Sequence, residues 1–249
     1  MTVTCDFLCD EAVAWLTFDV PEKRNALSSS IMAALEKHLQ MLQKHPHVQV
    51  IVLSGANQTF AAGVDLTEVA EMTTEQALNT AYLGPMWRQL AHFPLPTIAA
   101  VSGYALGGGF EVALMCDLIV AAETAQFGFP EVSWGLLPGL GGTQKLVRLI
   151  GAYRASELCY TGRFITAHEA RAMGILNQVV AESALKETVL ALAQKISMQP
   201  RSSLQLIKKA LSYSGETPLS VGLELERQLF LMALSTHEKA IRTKRFLKK

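Results

Sequence analysis

Cysteine is scarce in this 249-residue chain: Cys5, Cys9, Cys116 and Cys159 are the whole complement, and none stands in a C-x-x-C pair. That excludes a disulfide-stapled scaffold and points to a reducing compartment. The six histidines show no spacing that would join Cys5 and Cys9 in a zinc site, and His45 and His47 flank Pro46 in a loop, so no metal is expected. Cys116, inside VALMCDLIV, reads as a small buried apolar residue rather than a nucleophile. An excess of one charge is also missing, with 22 basic and 22 acidic residues. No overall field draws the chain to nucleic acid or to an anionic membrane, and neither partner is expected. The basic C-terminus, IRTKRFLKK, reads as a helix end with cations at its negative pole. The most apolar region, residues 104–122, is interrupted by Glu111, Asp117 and several glycines, which disfavours a membrane span. The N-terminus, MTVTCDFLCDEA, carries acids where a secretory signal would carry bases, so a cytoplasmic location is expected.

What the chain does have is apolar residues, half of the total, enough to bury a sizeable core. Val13–Asp19 alternates as a strand, and PEKRNAL forms a loop before a helix that Ser28 or a neighbouring serine caps and that runs to about Lys44. Val48–Ser54 is a buried strand, followed by a loop, GANQTFAAGVDL, that leads to a helix. Thr74–Phe93 is helical with a kink or division at Gly84-Pro85. Thr97–Val101 and Leu118–Ala121 are strands, and ILNQVV is the last one. Short helices fill the chain after Leu140, with Gly151, Gly162 and Gly174 at their ends, and helices at roughly 183–197, 201–213, 217–234 and 236–247 complete it. Alternating strands and helices argue for a layered α/β core with ligands at strand ends. The segment Leu223–Leu234 is more apolar than one packed face requires; it is either an ordinary core helix or a surface for a neighbouring subunit.

Chemistry concentrates between Gly103 and Gly142. Gly107, Gly108 and Gly109 precede a helix-compatible FEVALMCD, so bare backbone N–H groups and the positive end of a helix are offered to an anionic group. Glu111 and Glu131 both lie in apolar surroundings, which raise carboxyl pKa values toward neutrality and suit proton transfer. Taken singly, each glutamate is equally compatible with a capping or solvated role. The glycines match neither the phosphate loop of mononucleotide sites nor the dinucleotide fingerprint, and a G-x-S-x-G nucleophile turn is absent. An enolate derived from a thioester fits better: its oxygen needs two backbone donors, each worth about 3 kcal/mol in the transition state. Gly107–Gly109 can supply one and the glycine turn Ala61–Leu66 the other.

Three motifs in order, KRNAL at 23–27, FAAGVDL at 60–66 and SGYALGGGFEVALMCDLIVAAETAQFGFPEVSWGLLPGLGGTQKL at 102–146, resemble those of the crotonase superfamily, the enoyl-CoA hydratase/isomerase family. The resemblance covers nearly the whole chain. It implies an α/β fold, a spiral of β-β-α units spanning 1–196, with a C-terminal helical trimerisation region at 197–249 that packs on the core and on a neighbouring subunit. It also implies an acyl-CoA substrate, no cofactor beyond the coenzyme A of that substrate, and a homotrimer or a dimer of trimers. The oxyanion donors correspond to the N–H groups of Val64 and Gly108. Arg24, Ala26, Ala62, Asp65 and Leu66 correspond to the stretches that hold coenzyme A, largely through backbone atoms. Thr67 stands where many relatives carry a lysine. Glu111 and Glu131 match both carboxylates of the family's hydratases, which implies hydration of a trans-2-enoyl-CoA. A Δ3,Δ2-enoyl-CoA isomerase or a specialised hydratase is the alternative. An RNA-binding member ranks low, because the first long helix offers only Lys37 and Lys44.

Overall fold

The computed structural model describes residues 2–80, 82 and 84–247, with backbone only at 84–86. The strands are β1 Val3–Leu8, β2 Val13–Phe18, β3 Val50–Gly55, β4 Thr97–Val101, β5 Tyr104–Leu106, β6 Leu118–Ala122, β7 Gln126–Gly128, β8 Ile165–Thr166 and β9 Gln178–Val180. The helices of the core are α1 Ser29–Lys44, α2 Leu66–Ala70, α3 Thr74–Asn79, α4 Gly84–Ala91, α5 Gly108–Met115, α6 Gly142–Ile150, α7 Ala152–Thr161, α8 Ala167–Ala172 and α9 Leu185–Ser197. After a break at 198–200 come α10 Arg201–Tyr213, α11 Leu219–Leu234 and α12 His237–Phe246.

Two sheets organise the core. The larger runs β1-β2-β3-β4-β6-β9, antiparallel between β1 and β2 and parallel from β2 onward. The smaller runs β5-β7-β8, and isolated bridges Ala61 to Ala105 and Leu27 to Val64 continue it. Each turn of the chain therefore gives one strand to the large sheet, one short segment to the small sheet, and a helix. That is the expected β-β-α spiral. The central strands β3 and β4 are apolar on both faces because both faces are covered. One face packs Leu16, Leu53, Ala99 and Ile119 against α1, α5 and the small sheet; the other packs Trp15, Val52, Ile98 and Val120 against α9.

Helix α1 follows its sequence pattern: Ile31, Leu35, Leu39 and Leu42 are buried, Ser28 Oγ accepts from Ile31 N, and Gln40 donates to Glu36 on the exposed side. The span expected to kink or divide at Gly84-Pro85 is divided, into α3 and an α4 that begins at Gly84. Strand β1 was not anticipated. It is a half-exposed edge strand whose acidic residue Asp6 disguises it. The three-residue strands β5 and β7 were missed as well, being too short to show a period.

Helix α10 is tied to the core by Lys208, which donates to Leu95 O at 2.8 Å and to Asp117 Oδ2 at 2.7 Å. The reading of Leu223–Leu234 as an ordinary core helix is corrected: in α11 only Leu229 is buried, whereas Phe230 is 62% and Met232 57% exposed. No helix among the described residues is long and apolar enough to cross a membrane.

Candidate active site

Two loops meet above the small sheet. Asn25, fully buried with φ 54°, locks the first: its Oδ1 accepts from Val20 N, and its Nδ2 donates to Ala56 O and Thr59 O. Backbone bonds then zip residues 24–27 to 62–65, from Ala62 N to Arg24 O, Leu27 N to Gly63 O and Asp65 N to Leu27 O. Arg24, Ala26, Ala62, Asp65 and Leu66 are thereby brought to one place. Asp65, however, is saturated by the protein itself. Its carboxylate takes Lys23 Nζ at 2.7 Å, Thr67 N at 3.0 Å and Thr67 Oγ1 at 2.7 Å, capping α2. The bond to Lys23, then the bonds to Thr67, hold its pKa below the usual carboxylate range. Its backbone is engaged as well, the N–H by Leu27 O and the C=O by the N–H groups of Glu68 and Val69. Thr67 thus has a structural task, and half-exposed Lys23 is the nearby cation.

The donor pair comes from the two ends of the bridge ladder. Gly107 has φ 50° and ψ −126°, a conformation open to glycine, and α5 starts immediately after it. A Cβ on Gly109 would lie 2.2 Å from Ala61 O, so only a bare backbone lets α5 approach the strand segment. Gly108 is the first residue of α5 and its N–H has no partner inside the helix. It faces Val64: a Cβ on Gly108 would stand 3.0 Å from Val64 Cγ1. Among the described residues, neither the Val64 nor the Gly108 N–H donates to a protein group.

The two acids lie beside this pair, and both are buried, Glu111 at 2% and Glu131 at 8% exposure. Glu111 sits on α5, and its Oε1 accepts from Leu140 N and Gly142 N, both at 2.7 Å. Burial pushes its pKa up, while the amides of Gly142, Leu140 and Gly139 pull it down. Glu131 follows β7 on a 3-10 helix, Pro130–Trp134, and its side chain caps nothing. Its Oε1 lies against Gly107, and its Oε2 is buried without a hydrogen-bond partner among the described residues. Burial, offset in part by its own backbone amide and reinforced by the charge of Glu111, raises its pKa to about 7. Burial excludes the solvated reading of both acids; Glu131 caps nothing, whereas Glu111 takes the first N–H of α6 through Gly142.

All four residues expected to carry chemistry, Val64, Gly108, Glu111 and Glu131, converge. Cys116 is buried with its pKa pushed up to about 12, an inert packing residue. The sequence reading passed over Asn25, Lys23 and the amides of Leu140 and Gly142. Their signals were a polar residue in a turn and the glycine cluster at 139–142. A separate concavity of about 590 Å³, against Trp15, Ser54, Ser102 and Glu182, holds neither acid. Within it Trp15 and Thr17 pair with Ser54, and Ser102 pairs with Glu182.

Residues 9–249 match the family model described as enoyl-CoA hydratase/isomerase. The chain is 40% identical over 240 residues to "Probable enoyl-CoA hydratase echA8" of Mycobacterium tuberculosis, covering 96% of this chain and 93% of that one. It is 39% identical over 239 residues to the 2,3-dehydroadipyl-CoA hydratase of Escherichia coli, with the same coverage. Among solved structures, the enoyl-CoA hydratase of Bacillus anthracis superposes with a TM-score of 0.95 at 34% identity, covering 100% of this chain and 96% of that one. The fold, the paired acids and these similarities agree, and the chain belongs to the enoyl-CoA hydratase/isomerase family, the crotonase superfamily of enzymes.

Proposed function

We propose that the enzyme adds water reversibly, in the syn sense, to the C2=C3 bond of a trans-2-enoyl-CoA, giving the 3-hydroxyacyl-CoA. The observation that carries this reading is the pairing of two buried carboxylates with two unengaged backbone N–H groups from separate loops. The thioester oxygen sits between the N–H groups of Val64 and Gly108. As water attacks C3, electron density moves to that oxygen, and two preorganised donors, each worth about 3 kcal/mol, stabilise it. Glu111 takes a proton from the water as its oxygen bonds to C3, and Glu131 delivers a proton to C2. The proton on Glu111 then returns the pair to its starting state. A Glu131 pKa of about 7 suits a group that must both hold and release a proton at neutral pH. Water and thioester supply every atom, so the reaction as written needs no metal and no redox cofactor.

Arg24, Ala26, Ala62, Asp65 and Leu66 line the coenzyme A end, chiefly through backbone. The region 197–249 packs on the core and, through the exposed face of α11, on a second subunit in a trimer or a dimer of trimers. The reading includes a cytoplasmic role in fatty-acid or related acyl-CoA degradation; one relative is named as a 2,3-dehydroadipyl-CoA hydratase.

The test is loss of enoyl-thioester absorbance on adding the protein to crotonyl-CoA and then to a longer trans-2-enoyl-CoA, with identification of the 3-hydroxyacyl product. Turnover of 3-enoyl-CoA substrates alone would replace hydration with Δ3,Δ2 isomerisation.

A further inference from the structure

The two acids are held in very different ways. Glu131 has a buried oxygen without a partner among the described residues, whereas Glu111 is gripped through a single oxygen by two amides at 2.7 Å. The grip comes from the turn that opens α6. Gly141, at φ 101°, bends the backbone so that the amides on either side of it, those of Leu140 and Gly142, converge on Glu111 Oε1. The turn is also fitted to its neighbours. A Cβ on Gly142 would stand 2.6 Å from Phe129 Cζ and 2.9 Å from both Cγ and Oε1 of Glu111. Neither neighbour has room to retreat: Phe129 is fully buried with its ring 4.9 Å from that of Phe110, and Glu111 is fixed on α5. On its other side the turn reaches the donor pair, because Leu140 Cδ1 lies 3.6 Å from where a Gly108 Cβ would be.

We propose that the turn from Leu140 to Gly142 is a carboxylate cradle that positions Glu111 for water activation, and that Gly142 is the positioning residue on which the fit depends. The proposal rests on the hydratase reading above. With Oε1 bound twice, the carboxylate cannot rotate, and Oε2 is the oxygen left to meet the reacting water. The same amides oppose the effect of burial, which still leaves the pKa raised, and so favour the ionised form that accepts a proton. Gly142 itself touches no reacting atom. Its bare Cα lets the amide reach the carboxylate.

The test is Gly142→Ala in the parent and in a Glu111→Gln background. In the parent, kcat for crotonyl-CoA hydration falls by about 10²-fold, the usual effect of a small misplacement of a reacting group. KM stays within about threefold, because thioester binding is untouched. The acidic limb of the kcat profile moves to higher pH, since the displaced carboxylate loses the amides that offset its burial. In the Glu111→Gln background the same change costs less than about twofold, because the residue through which it acts has already been altered. Unchanged kcat in Gly142→Ala, a full additional loss on Glu111→Gln, or a loss in KM with an unmoved pH limb would each overturn the proposal. If Gly142→Ala does not fold by circular dichroism, Leu140→Pro, which removes the other donor, goes through the same cycle with the same expectations. If the parent protein is inactive on 2-enoyl thioesters, the hydratase reading fails by itself. The cradle is then read by NMR titration of the labelled Glu111 carboxyl, whose pKa rises in Gly142→Ala if the cradle exists and stays put if it does not.

Discussion

Burial of Glu131 makes the folded chain hold a proton that the unfolded chain has released, and this fixes a measurable pH dependence of stability. The unfolded carboxyl titrates near 4.5 and the folded one at about 7. Between those limits the native state binds more protons than the unfolded state, so stability falls as pH rises. Below about 4.5 both states are protonated and the penalty is absent; above about 7 it is complete. At ~1.4 kcal/mol per pH unit the interval amounts to about 3 kcal/mol, an upper figure because part of the carboxyl's field reaches water. Glu131→Gln removes the titration while keeping the shape. The variant's stability relative to the parent should therefore climb from pH 5 to about 7 and then level off. Any fixed cost of burying the amide displaces this curve without changing its form, and coupling to Glu111 reduces its height. Urea unfolding at fixed protein concentration, followed by circular dichroism across that range, reads the difference directly. A flat difference, or one that falls with pH, would refute the argument that burial dominates the environment of Glu131.

Activity should separate from binding in the acids: Glu111→Gln and Glu131→Gln each lose hydration of crotonyl-CoA by at least about 10²-fold, a usual magnitude for a lost acid or base. Calorimetry with a saturated acyl-CoA should show affinity close to that of the parent, and near-normal turnover in both variants would remove the assigned mechanism. Asn25→Ala takes the Asn25 partner from part-buried Val20 N and Thr59 O, while Ala56 O keeps Thr59 N, and should cost about 2 kcal/mol, seen as a lower urea midpoint. An unchanged midpoint would mean that the loops are held by the backbone zipper alone. Cys116 should resist a thiol reagent in the native state and react on unfolding, whereas prompt native labelling would contradict its burial.

Much of the fold was legible because its central elements obey strong local rules. β4 and α1 follow their patterns almost to the residue, since a doubly covered strand must be apolar throughout and a surface helix must be apolar every three or four residues. β5 and β7 were not legible, because three residues carry no period and their stability comes from pairing with each other across about twenty residues of chain. The fate of α11 was left open for a related reason. Periodicity reports which side chains are apolar, and only the packed chain shows that Phe230 and Met232 find no cover within it.

At the site, sequence by itself picked out the candidate groups: two acids in apolar surroundings, a bare backbone at a helix start, and a second glycine turn. It also determined the family, because ordered motifs over most of the chain are hard to match by accident. Tertiary structure alone decided what each group can do. Asp65 became a cap neutralised by Lys23 rather than a free carboxylate, and Asn25 became the bolt between two loops. Glu111 acquired two amides from a turn some thirty residues away, while Glu131 acquired none on its buried oxygen. The physical reason is that ionisation and hydrogen bonding depend on what lies within a few ångströms. The fold sets those neighbours by joining segments that sequence order keeps far apart.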